Sequence, residues 1–128
     1  MHRQAGNAPD GPPALGPYSH YVIAGELVFV SGQLCWDPAT GALNKGSVAE
    51  QTRLTLANLD RILRAAGSCL ANVVRCGVFL ADMADFAEMN GVYAEFFPSS
   101  PPVRSTVAVK ELPAGVAVEI DAIATLGE

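Results

Sequence analysis

Hydrophobic positions change their spacing several times along the chain, and these changes predict where strands and helices lie. Two short apolar runs within residues 21–30 flank Gly25, which predicts a β-hairpin with the glycine in its turn. Apolar residues then recur at 3.6-residue spacing between residues 56 and 66, as on one face of a helix. The capping box "SVAE" at residues 47–50 is expected to begin this helix, and Gly67 to end it.

The second half of the chain predicts a strand, a helix and two more strands. Val73–Leu80 is rich in β-branched and apolar residues, as is typical of a central strand. Asp82 is predicted to cap a second helix that Pro98 ends. The apolar stripe of that helix is Phe86, Met89, Tyr93 and Phe96 or Phe97. Two final strands, at about residues 105–109 and 116–125, are predicted to pair as neighbours through the turn that joins them.

These elements predict a single α+β domain over residues 1–128. Their order favours one mixed β-sheet with two helices on one face. Residues 1–17, rich in glycine, proline and alanine, are expected to be a loop or arm without regular structure. Both faces of the last strand carry apolar side chains, so the sheet face away from the helices also needs cover. A second copy of the chain is expected to supply it, which predicts a homo-oligomer.

Composition narrows the class of partner and the compartment. The formal net charge is −5 and the eight basic residues are scattered, which argues against nucleic acid as the main partner. No apolar run reaches the length of a membrane span, and no secretory signal pattern is present, so we expect a cytoplasmic protein. The three cysteines, Cys35, Cys69 and Cys76, lack metal-ligand spacing, which predicts reduced thiols and no metal site.

The polar residues with the clearest chemical potential are Arg104 and Glu119. His2 and His20 are the only histidines, so the sequence offers very few residues from which a histidine-based catalytic triad could be built. His20 borders the first strand, where we expect an exposed or capping role. The arginine could bind a carboxylate in bidentate fashion, and a desolvated glutamate could serve as a general acid or base. The alternative is that Glu119 lies in a solvated row with Asp121 while Arg104 caps a turn.

Several segments in order along the chain resemble the RidA/YjgF family. They include "GPYS", "VFVSGQL", "DPATG", "VRSTVAV" and "VEIDAIA", and together they span nearly the whole chain. The resemblance implies a chorismate-mutase-like α+β fold that assembles as a homotrimer around a barrel, with ligand clefts between subunits. It also implies hydrolysis of 2-imino acids and their enamine tautomers, such as 2-aminoacrylate, to 2-keto acids and ammonia. The family activity uses no cofactor.

The resemblance assigns roles to individual residues. Arg104 matches the arginine that binds the substrate carboxylate, and Glu119 matches the glutamate that positions or activates water. Thr106 stands where many members have cysteine, and its hydroxyl could still bind substrate or water. The positions that line or support the family's cleft are matched by Tyr18, Ser31, Gly32 and Asn90.

Two departures from the family pattern bear on substrate choice. The loop "PSSPPVR" before the site arginine is short, as in the aminoacrylate-type deaminases of pyrimidine breakdown. Cys35 and Trp36 replace smaller aliphatic residues, and the tryptophan either packs or reshapes the cleft. Three alternatives therefore stay open: a specialised deaminase of one pathway, an endoribonuclease, and a non-catalytic module that binds small carboxylates.

Overall fold

A six-stranded sheet runs through the computed structural model of the chain, which describes residues 2–127. Two α-helices pack against it, and a two-stranded ribbon flanks it. In chain order the elements are β1 (Arg3–Gly6), β2 (Tyr21–Ala24), β3 (Leu27–Gln33), β4 (Trp36–Asp37), β5 (Ala42–Leu43), α1 (Val48–Ala65), β6 (Val73–Leu80), α2 (Phe86–Phe96), β7 (Val103–Ala108) and β8 (Val118–Thr125).

The strands of the large sheet follow the order β1-β2-β3-β8-β6-β7. The pair β6–β7 is parallel and the other pairs are antiparallel, which confirms the predicted mixed sheet. The prediction that the last two strands pair with each other is wrong, because β6 lies between β7 and β8. After α2 the chain returns parallel to β6, and residues 109–117 are long enough to cross that strand before β8 begins.

One face of the sheet and both helices enclose the hydrophobic core. Along β8, alternate residues are buried against the helices, as the period of a strand requires. The core residues from the helices and β8 include Leu56, Leu59, Ile62, Leu63, Met89, Tyr93, Val118, Ile120, Ala122 and Ala124. The predicted helical face of α1 and the one-sided placement of the core are confirmed.

The opposite face of the sheet is open in the single chain and partly apolar. Phe29 pairs with Ile123 there, and Val103 and Val107 extend from the edge strand β7. Phe29 is 41% exposed, Val103 70% and Val107 46%, which leaves a large apolar area in contact with water. Such an area is usually an interaction surface in a soluble protein. That a second copy covers it stays a prediction.

The N-terminal segment is more ordered than the sequence predicts. Arg3–Gly6 forms the edge strand β1 and pairs antiparallel with β2, so the expectation of an irregular arm over residues 1–17 is wrong for this part. An edge strand can be specified by backbone pairing to its neighbour, without the apolar alternation that sequence reading relies on. Residues 7–17 form turns and loops, and Met1 lies outside the described residues.

The helix termini agree only in part with the predicted caps. The Ser47 hydroxyl accepts from the Glu50 amide at 3.1 Å, as predicted, but the Glu50 carboxylate contacts the Ser47 hydroxyl instead of its amide. Asp82 does not cap α2. Its carboxylate accepts from the Ala84 amide and caps a short 3₁₀ turn that precedes the helix. Gly67 adopts φ +90°, which confirms its left-handed stop.

Candidate functional site

A cleft of about 470 Å³ lies where β3 meets β8, and it collects several of the predicted site residues. The antiparallel pairing shifts there, because Val30 lies opposite Ala122 while Gln33 lies opposite Ile120. Two residues of β3 therefore face one residue of β8, which is a β-bulge, a device that often redirects side chains near active sites. The cleft is lined by Leu15, Tyr18, Ser31, Gly32, Leu34, Pro113 and Glu119.

Gly32 and Glu119 are matched to each other within this cleft. A Cβ atom at Gly32 would overlap the Glu119 carboxylate, so the side chain can lie across the strand only because residue 32 is glycine. Burial raises the pKa of Glu119, and the nearby negative charge of Asp121 raises it further. A carboxyl group with a raised pKa exchanges protons closer to neutral pH, as a general acid or base must.

Hydrogen bonds fasten the loop before β2 to the bulge. The Ser31 hydroxyl donates to the Ser19 carbonyl at 2.6 Å, and the Ser31 amide donates to the His20 carbonyl at 3.0 Å. The Tyr18 hydroxyl accepts from the Leu15 amide at 3.0 Å. We call Tyr18, Ser31, Gly32 and Glu119 the acid half-site. Its walls are held mainly by backbone contacts, and Tyr18 stays 46% exposed at the rim.

His20 is a residue whose role sequence reasoning missed. It is buried, with 5% exposure, so of the two expected roles, exposed or capping, the exposed one is wrong. Its Nδ1 accepts from the Ala8 amide at 2.9 Å, which places the ring proton on Nε2 for donation to the Pro12 carbonyl at 2.6 Å. Both ring nitrogens are therefore occupied in pinning the N-terminal loop. A histidine next to a proline- and glycine-rich segment was the available signal.

Arg104 lies in a second cluster, on the face of the sheet that carries the helices. It is opposite the buried Cys76 on β6, and its Cζ atom lies 4.7 Å from the ring centroid of Tyr93 and 5.6 Å from that of Phe86. Among residues 2–127 its guanidinium forms no salt bridge and donates no hydrogen bond. A partly buried cation without a carboxylate partner can bind an external anion.

Two further predicted residues accompany this arginine. The Thr106 hydroxyl is buried and has no hydrogen-bond partner in the described part of the chain. A buried hydroxyl in that state costs free energy that a bound water or ligand would recover. Asn90 lies on α2 one turn after Phe86 and one turn before Tyr93, which places it on the same side of the helix. We call Arg104, Thr106 and Asn90 the arginine half-site.

The two half-sites lie on opposite faces of the sheet. Arg104 is opposite Cys76, whereas Glu119 is opposite Phe79 on the same strand. Cys76 and Phe79 are an odd number of residues apart, so side chains at these two register positions point to opposite faces. The structure thus separates the two residues that the sequence analysis expected to be neighbours. Within one chain the β-sheet lies between the two side chains.

A small cavity of about 80 Å³ adjoins the acid half-site. It shares Tyr18 and Gly32 with the larger cleft and reaches Trp36, so the tryptophan lines space next to the site. Asn58 fixes this segment by donating to the Trp36 carbonyl at 2.9 Å. Cys35 is fully buried, and burial raises the pKa of its thiol, which disfavours the reactive thiolate.

Residues 2–127 contain no group of three or more histidine, cysteine or acidic side chains arranged to hold a metal ion. No helix among them has the length and apolar composition that crossing a membrane requires.

Comparisons with known proteins match nearly the whole chain. The family model described as Endoribonuclease L-PSP matches residues 8–126. The 2-iminobutanoate/2-iminopropanoate deaminase of Bos taurus is 47% identical over 116 residues, which cover 91% of this chain and 85% of that protein.

Two solved structures from E. coli share the fold. TdcF with bound serine has a TM-score of 0.86 at 40% identity and covers 92% of this chain and 94% of its own. The YjgF gene product has a TM-score of 0.85 at 39% identity and covers 91% of this chain and 93% of its own. The predicted α+β fold, with two helices on one mixed sheet, is confirmed by this likeness.

Proposed function

Because the chain belongs to the RidA/YjgF family, whose model carries the description Endoribonuclease L-PSP, we propose that it hydrolyses 2-imino acids and their enamine tautomers to 2-keto acids and ammonia. The observation that carries the proposal is the pair of half-sites. One offers a cation that has no carboxylate partner in the part of the chain that the structure describes, and the other offers a desolvated carboxyl group in a cleft. These are the two groups that hydrolysis of a small anionic imine requires.

The half-sites meet when copies of the chain assemble. The open sheet face carries both Glu119 and exposed apolar side chains, so burying that face brings a neighbouring chain close to the acid half-site. In the proposed homotrimer each cleft combines Glu119 of one chain with Arg104 of the partner subunit. Closed cyclic assemblies repeat one contact around an axis, so every copy supplies one half to each of two clefts.

The proposed mechanism begins with the substrate carboxylate. Arg104 binds it through paired N–H donors, which fixes the C=N carbon against a water near Glu119. An enamine first takes a proton from solvent on its carbon and becomes the protonated imine. Glu119 removes a proton from the water while the water oxygen bonds to the carbon of the protonated imine. The electron pair of the C=N double bond moves to nitrogen.

Release of ammonia completes the reaction with the same carboxyl group. Glu119 returns its proton to the nitrogen of the carbinolamine, accepts the hydroxyl proton as the C–N bond breaks, and then releases that proton to solvent. The products are a 2-keto acid and ammonia, with no change of oxidation state. The Thr106 hydroxyl, which has no hydrogen-bond partner among residues 2–127, is available to bind the substrate or a water in the assembled cleft.

The chain offers little for cleavage of RNA. One histidine, His2, is exposed near the N-terminus, and the other, His20, has both ring nitrogens hydrogen-bonded to the N-terminal loop. The chain has a net charge of −5, and its eight basic residues are scattered along the sequence instead of forming the cluster of cations that phosphate binding uses.

The test couples a pyridoxal-phosphate lyase, which releases 2-aminoacrylate, to detection of pyruvate. Purified protein is expected to accelerate pyruvate formation well above spontaneous decay. Arg104→Ala is expected to lose about 2–5 kcal/mol of substrate binding, roughly thirty-fold to several-thousand-fold in kcat/KM, with an unchanged circular dichroism spectrum.

Other outcomes of this assay point elsewhere. Wild-type turnover in Arg104→Ala removes the arginine from the mechanism. Binding of 2-oxobutanoate without acceleration of 2-aminoacrylate decay indicates a carboxylate-binding module instead of an enzyme. A strong preference for 2-aminoacrylate over 2-iminobutanoate and larger imines identifies the specialised deaminase.

A further inference from the structure

The guanidinium of Arg104 is held by aromatic faces. Tyr93 and Phe86, both on α2, lie 4.7 Å and 5.6 Å from its Cζ atom. Both distances fall within the range of a cation–π interaction, which gains strength when the cation is partly desolvated. Arginine presents five N–H donors at the edge of its plane. Contact through an aromatic face leaves those edge donors unoccupied.

Tyr93 is itself fixed in place. Its ring is buried, and the centroid of the Phe97 ring lies 4.7 Å away at a tilt of 40°. Its hydroxyl lies beside the Cys76 thiol without a hydrogen bond of ordinary geometry. Burial raises the pKa of Tyr93, so the phenol stays neutral and offers Arg104 a ring face without a negative charge.

We propose that Tyr93, assisted by Phe86, is the positioning residue that orients Arg104 for the substrate carboxylate. The inference rests on the proposed function, because it takes Arg104 as the group that binds this carboxylate. Aspartate or glutamate could also immobilise an arginine, but it would occupy the same N–H donors and compete with the substrate. Aromatic rings immobilise the cation without occupying the donors.

A purely structural role for Tyr93 predicts a different result. A residue that only fills the core lowers the free energy of unfolding when truncated, and leaves ligand affinity unchanged as long as the protein is folded. A residue that orients Arg104 changes carboxylate affinity at a temperature where the variant is fully folded. Substrate affinity and turnover therefore separate the two roles.

The experiment compares Tyr93→Leu with Tyr93→Phe in the full-length protein. The dissociation constant for 2-oxobutanoate is measured by calorimetry, and KM and kcat by the imine assay. Tyr93→Leu is expected to raise the dissociation constant and KM by roughly 3- to 30-fold, with a smaller change in kcat. Tyr93→Phe keeps the ring and is expected to restore most of the lost affinity.

Ile62→Val in α1 is the matched control for stability, because it trims a fully buried residue remote from the arginine in sequence. It is expected to lower the melting temperature while leaving the dissociation constant unchanged. Should Tyr93→Leu fail to fold, Phe86→Leu tests the other, less buried ring and is expected to weaken binding by a smaller factor.

Three results overturn the inference or its premise. Unchanged affinity in a folded Tyr93→Leu protein, or in Phe86→Leu where Tyr93→Leu does not fold, excludes the positioning role. Equal losses in Tyr93→Phe and Tyr93→Leu transfer the effect from the ring to the hydroxyl. Undiminished 2-oxobutanoate affinity in Arg104→Ala contradicts the proposed function itself, whatever the tyrosine variants do.

Discussion

The acid half-site and the arginine half-site differ in how the chain positions the charged group of each. In the proposed mechanism Glu119 must exchange a proton with water, and burial in a cleft shaped by the β3 bulge raises the pKa of this carboxyl group. The same mechanism requires Arg104 to keep its donors free, and among residues 2–127 the aromatic side chains of α2 contact it without hydrogen bonds. One half-site thus depends on backbone geometry and the other on side-chain packing. Their sensitivities to mutation should differ accordingly.

The largest expected effect tests whether the two half-sites come from different chains. Arg104→Ala and Glu119→Gln proteins, each nearly inactive, are mixed, unfolded and refolded together. Random assembly pairs an intact Glu119 with an intact Arg104 in about a quarter of the clefts, so about a quarter of wild-type activity is expected to return. The coupled imine assay measures the recovery.

The control for this mixing is the double variant that carries both substitutions in one chain, refolded with either single variant. No cleft in those mixtures contains both intact residues, so no activity returns. Failure of the two single variants to complement each other, when both refold and assemble, contradicts a cleft shared between chains.

A smaller effect is expected from the backbone of the acid half-site. Gly32→Ala places a Cβ atom against the Glu119 carboxylate and forces it to move. Steric overlap of this kind costs about 1–3 kcal/mol, which corresponds to roughly 5- to 150-fold in kcat/KM if it falls on the reacting geometry. Kinetic measurement on the purified variant checks this.

Gly91→Ala is the matched control, because a Cβ atom there meets no other group within 4 Å and the residue lies on the exposed side of α2. Alanine is favoured over glycine within a helix, so the melting temperature of the Gly91→Ala variant should rise while its activity stays unchanged. A Gly32→Ala enzyme as active as Gly91→Ala would mean that the carboxylate position does not matter.

The smallest expected effect is on thermal stability: the substitution Glu119→Gln should stabilise the protein, whereas most substitutions destabilise it. Because the pKa of Glu119 is raised in the folded protein, its contribution to stability is present below the pKa of the unfolded chain and is lost as pH rises through the folded value. Glu119→Gln is therefore expected to melt at a higher temperature than wild type near pH 7. Calorimetry from pH 4 to pH 8 should show the difference shrinking in acid.

Local sequence patterns predicted those elements that local interactions determine. The capping serine at residue 47, the glycine stop at residue 67 and the apolar face of α1 all depend on contacts within a few residues. The same holds for the β2–β3 hairpin, where Gly25 has φ +63°. Residue types at these positions directly encode the conformation.

Pairings between distant segments escaped this kind of reading. Alternation along β7 and β8 shows that each is a strand, but it does not reveal that β6 separates them. The family resemblance named the residues of both half-sites, yet not their placement on opposite faces. The edge strand β1 and the buried His20 are likewise set by partners far along the chain.

Placing the acid and the cation on opposite faces of one sheet has a consequence for how specific activity depends on concentration. If the cleft forms between chains as proposed, an isolated copy holds both groups but no complete cleft. Activity per milligram should therefore fall on dilution below the concentration at which subunits separate, and recover when the solution is concentrated again. The concentration of the protein would then determine the specific activity of each chain.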